Sequence, residues 1–74
     1  MTLYGVALLK LKMEEKGLEV SDLAKKIGID KSTLYRKIAA NGESFTIKEV
    51  NLIVDALELS REEAMLIFFA RLVA

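Results

Sequence analysis

Lys31, Ser32, Thr33, Tyr35 and Arg36 fall between positions 31 and 36, and their side chains suit hydrogen bonding to flat, polar edges. Arg36 can donate two parallel hydrogen bonds to guanine O6 and N7, and Lys31 reaches the same acceptors. Ser32 donates or accepts, and the Thr33 methyl or the Tyr35 ring suits a thymine methyl. Bond-making chemistry finds little here. The chain has no His and no Cys, so it lacks a histidine general base, a thiolate nucleophile and the usual zinc ligands. No Ser or Lys stands beside a base, no Gly-rich loop cradles phosphate, and no Asp-rich loop has the spacing a hard cation needs. No enzymatic activity, metal, cofactor or small-molecule substrate is expected.

A helix over 31–40 would present these groups. With Leu34 inward and 100° per residue, Ile38 lies about 40° to one side and Asn41 about 20° to the other. Ser32 and Arg36 then stand opposite, flanked by Lys31 and Tyr35, with Thr33 intermediate. Lys37 and Asn41 are expected near the rim as phosphate contacts. Ser21 and Thr46 are expected at helix starts, where unpaired N–H groups point outward at phosphates.

The elements that must hold this helix are legible from apolar spacing and cap chemistry. Five helices are expected over about 3–16, 19–27, 31–40, 47–57 and 61–72. Gly17, Gly28 and Asn41-Gly42 act as stops. Thr46 with Glu49, and Ser60 with Glu63, match the reciprocal capping box. Leu18 with Leu23, Ile29 with Leu34, and Phe45 with Val50 occupy staple positions, whereas Glu19 is a poor cap residue. There is no Pro, and no alternation of the strand type. The expectation is an all-α, compact five-helix bundle in a single domain over 1–74, with the two-helix reading unit at 20–38.

Composition agrees with a folded, water-exposed chain. Of 74 residues, 53% are hydrophobic and 30% charged, with a formal net charge of zero. The charge is polarised, however. Lys25, Lys26, Lys31, Arg36 and Lys37 face only Asp30 between 25 and 37, whereas 43–63 holds six carboxylates against Lys48 and Arg61. The longest apolar run, Ala64 to Ala70, is far below the roughly 20 residues that span a bilayer. No leader pattern opens the chain. A cytoplasmic protein with no membrane association is expected. The last segment is apolar almost all round, which asks for cover on more than one side. A homodimer seam built on Met65, Phe68, Phe69 and Leu72 is therefore expected.

Leu23-Ala24, Gly28-Ile29-Asp30, the run from Lys31 to Lys37 and Asn41-Gly42 resemble the Cro and repressor type of helix-turn-helix regulators found in phages and prophages. The later Phe45–Val50 and Leu59–Glu63 segments look like small regulators of the same kind. In that family a small residue packs where the two helices cross, as Ala24 does, and Gly28 supplies the tight turn. The resemblance implies a lambda-repressor-like fold. It also implies a transcriptional regulator, a repressor of phage type, that binds operator double-stranded DNA as a dimer with the helix at 31–40 in the major groove. The family's base-contacting slots fall on Lys31, Ser32 and Arg36. One departure stands out: where the family commonly has Thr-Gln at the start of the first reading helix, this chain has Glu19-Val20. That departure suits a second reading, a protein-binding adaptor or anti-repressor that keeps the fold without binding DNA.

Overall fold

The computed structural model describes residues 1–42 and 44–69. They form five helices: α1 (Leu3–Glu15), α2 (Val20–Ile27), α3 (Lys31–Ala39), α4 (Ile47–Leu57) and α5 (Arg61–Phe68). The expected helices are all present, with ends moved by a residue or so. Glu19 is the N-cap of α2 rather than its first residue, and Ala40 closes α3. Helix α5 closes at Phe68 with Phe69 as its C-cap, short of the expected end at Leu72; Leu72 itself lies outside the described residues.

Local chemistry explains most of the helix ends. Thr46 Oγ1 accepts from the Glu49 N–H at 3.1 Å, and the Glu49 carboxylate accepts from the Thr46 N–H at 2.9 Å. Ser60 and Glu63 repeat the arrangement at α5. At α2 the weak cap residue is helped from within the helix, because the Glu19 N–H donates to Asp22 Oδ2 at 2.9 Å. Helix α4 stops without a glycine. Glu58 takes φ 52°, and the Leu59 N–H reaches back to the Val54 carbonyl at 3.0 Å.

One core ties the helices together. Leu9, Leu23, Leu34, Ile53, Leu57 and Ile67 are fully buried, with Val6, Met13, Ala24, Ile27, Ile38 and Phe68 around them. Helix α2 packs on both α3 and α4, and α1 packs on α5. Gly5 is the close point of that second pair, since a Cβ there would overlap the Ile67 carbonyl oxygen. Further along the same pair, Lys12 forms ion pairs with Glu63 and Glu15. The staple residues Leu18, Ile29, Phe45 and Val50 are half-buried against the core.

Phe68 corrects an expectation. It was assigned to a seam between copies, but it is buried within the chain and meets the Phe45 ring edge-on, centroids 6.2 Å apart. The reason is geometric: Phe68 turns toward Phe45, just before α4, and packs against its ring. Met65 and Leu66 are the α5 apolar residues left exposed, and Phe69 is half-buried. Helix α1 likewise leaves Leu3, Tyr4 and Leu11 in solvent. No described helix is long and apolar enough to cross a membrane.

Candidate nucleic-acid interface

The reading helix is set by three local features. Gly28 takes φ 76°, a left-handed conformation that costs a glycine nothing, and the Gly28 and Ile29 N–H groups both return to the Ala24 carbonyl. That turn swings the chain sharply from α2 into α3. Asp30 then caps α3, its Oδ2 accepting from the Ser32 N–H at 3.0 Å. Ala24, only 2% exposed, is a small buried residue of α2, the helix that packs on α3.

Leu34 is fully buried and Ile38 nearly so, and both face the core. Opposite them Ser32 and Arg36 are exposed, as are Lys31 and Tyr35 on the flank, while Thr33 is half-buried. The Arg36 guanidinium receives a weak tether, its Nη2 donating to Thr33 Oγ1 at 3.3 Å. The remaining guanidinium donors stay available for a planar acceptor pair. All five residues predicted to contact bases thus lie on one helix, with four of them fully on its solvent side.

The expected phosphate contacts fare less uniformly. Lys37 is drawn inward: its ammonium pairs with Glu49 at 2.6 Å, with both side chains mostly covered, and sits 5.8 Å from the Phe45 ring centroid. A phosphate contact at Lys37, as expected from the sequence, therefore has to compete with Glu49 for the ammonium. Lys37 and the Thr46 amide hold the Glu49 carboxyl below the usual glutamate range. The same carboxylate occupies the Thr46 N–H, so the predicted phosphate seat at the start of α4 is already filled. Asn41 is half-buried with φ 60°, and its N–H is used on the Ile38 carbonyl. Ser21 is half-buried at the start of α2, beside the reading helix.

Two features beside the reading face are set by tertiary packing, and the first had no local signal in the sequence. Lys10 of α1 joins Lys31, Tyr35, Val20 and Ser21 around one open groove of about 440 Å³. Lys10 and Lys31 are brought together only by the packing of α1 beside the reading unit, across 21 positions of chain. Val20 was notable in the sequence for what it could not do. The structure gives it a definite setting, half-buried in the groove wall.

A buried Leu34–Ile38 side, an exposed polar side and a glycine turn between two packed helices define a helix-turn-helix DNA-binding unit. A family model for the Cro/C1-type HTH DNA-binding domain matches residues 9–67, covering α2, α3 and α4 in full. The chain belongs to that family. No curated protein and no solved structure matches it.

Proposed function

We propose that the protein is a sequence-specific transcriptional regulator of the small phage or prophage type. It binds operator DNA as a homodimer with α3 in the major groove and represses by occluding a promoter. The observation that carries this reading is the outward projection of Ser32 and Arg36, set by the burial of Leu34 and Ile38. Lys31, Ser32 and Arg36 read base edges, with Thr33 and Tyr35 as apolar contacts. Ser21, Asn41 and the Thr46 hydroxyl approach the backbone. Met65 and Phe69, with the exposed Leu66 beside them, form the seam between copies. The reading is of a DNA-binding protein without catalytic activity, acting in the cytoplasm.

Selection of bound duplexes from a random pool tests the whole reading. The expected result is a two-fold symmetric site, with half-sites about one helical turn apart. Arg36→Ala is expected to relax one position of each half-site. Unchanged binding by the Arg36→Ala, Lys31→Ala protein would overturn the assignment of the reading face.

A second reading, a protein-binding adaptor or anti-repressor, is favoured by one observation: Glu49 neutralises Lys37, while Glu14 and Glu19 border the groove beside α3. The salt dependence of random-duplex binding separates the two. A regulator shows nonspecific binding at low salt that falls steeply as salt rises, and an adaptor shows none.

A further inference from the structure

We propose that Val20 and Tyr35 together form a slot for the C5 methyl of one thymine in each half-site. Val20 thereby becomes a specificity-determining residue at the position where it replaces a hydrogen-bonding side chain. The inference rests on the DNA-reading assignment above and deepens it.

The groove between the end of α1, the start of α2 and the first turns of α3 is continuous with the reading face, because Lys31 and Tyr35 belong to both. Among its lining residues Met13 is 5% exposed, and Leu18 and Val20 are half-buried against the core. Tyr35 lines the same groove with more than half its surface in solvent. A base edge entering beside Lys31 therefore meets a valine and a tyrosine ring, with the half-buried Ser21 beside them.

The charge of the groove does not select a phosphate, because Glu14 and Glu19 offset Lys10 and Lys31 among its lining residues. The apolar surface of Val20 and Tyr35 suits a base instead. Among the four bases in the major groove, thymine alone presents a methyl group, and apolar side chains are its complement. Burying one methyl is worth about fourfold in affinity.

The test uses thymine analogues. Bound duplexes are remade with each thymine in turn replaced by deoxyuridine, which lacks only the methyl. We expect one thymine per half-site to show about a fourfold loss. That loss disappears with Val20→Ala and with Tyr35→Ala and persists with Tyr35→Phe. Placing 5-methylcytosine in place of cytosine at the same position restores part of the binding. Tyr35 is exposed, so its variants fold and the test does not hang on Val20→Ala alone. A methyl penalty that survives undiminished in both alanine variants overturns the slot, as does its absence at every thymine, with the DNA-reading assignment left standing. If the unmodified protein binds no duplex, the assignment and the slot fall together.

Discussion

Arg36 and Lys37 are adjacent cations with opposite fates. The first reaches solvent tethered only to Thr33, and the second is bound to Glu49 under partial cover. Arg36→Ala is expected to cost about 1–3 kcal/mol in specific binding and to relax a single base position, read by competition among single-base variants of the operator. Lys10→Ala, which removes a cation from the groove beside the reading face, should lower the slope of log affinity against log salt by about one. Lys37→Met is expected to leave that slope nearly unchanged. It should instead reduce folding stability by about 1–3 kcal/mol in denaturant melts, since it strands a shielded carboxylate. Glu63 makes an acid-range prediction. Hydrogen bonding from Lys12 first, and the Ser60 amide second, lowers its pKa from 4.5 to about 2. A depressed folded pKa means the unfolded chain binds the proton first. The associated stability is thus present above 4.5 and lost as pH falls toward 2. Thermal melts of Glu63→Gln should show a flatter pH dependence across that window than the parent, with no such difference at neutral pH.

Among the helices, those around the reading unit were legible because their signals are local. Caps, stops and staples lie within a few residues of the ends they govern, and α4 and α5 begin where Thr46 and Ser60 require. Gly5 is the counterexample. In sequence it is a glycine inside a helix with no turn to make. Its reason is Ile67, 62 positions away, whose carbonyl would meet any Cβ placed there. Gly5→Ala gains roughly 1 kcal/mol of helix propensity but must spread α1 from α5. We expect a net loss of about 1–2 kcal/mol and a lower melting temperature. The capping hydroxyls behave more simply: Thr46→Ala and Ser60→Ala should each cost about 1 kcal/mol, because each leaves a helix-start amide without its partner. The engagement of Lys37 and of the Thr46 amide by Glu49 was opaque in the sequence for the same reason as Gly5. The fate of a charge or an amide depends on which carboxylate arrives beside it. Glu49 serves both, and its approach to Lys37 follows from how α4 lies against the end of α3.

For the molecule as a whole, the seam between copies is the most exposed part of the proposal. Phe68 is withdrawn from it by the core, leaving Met65, Leu66 and half-buried Phe69 on α5. If these residues join two copies, Met65→Glu with Leu66→Glu should shift sedimentation toward the monomer. Affinity for a two-half-site operator should fall far more than affinity for a single half-site. The helical class, the capped starts of α3, α4 and α5 and the polarity of α3 were decided by the chain's own order of residues. They depend on spacing within one or two turns, and a 3.6-residue period carries that information without reference to the rest of the fold. Only the tertiary structure decided that Lys37 is already partnered, that Phe68 is interior, and that Lys10, Val20 and Tyr35 share a groove. These are meetings between segments remote along the chain, set by how helices pack, and no local periodicity encodes them.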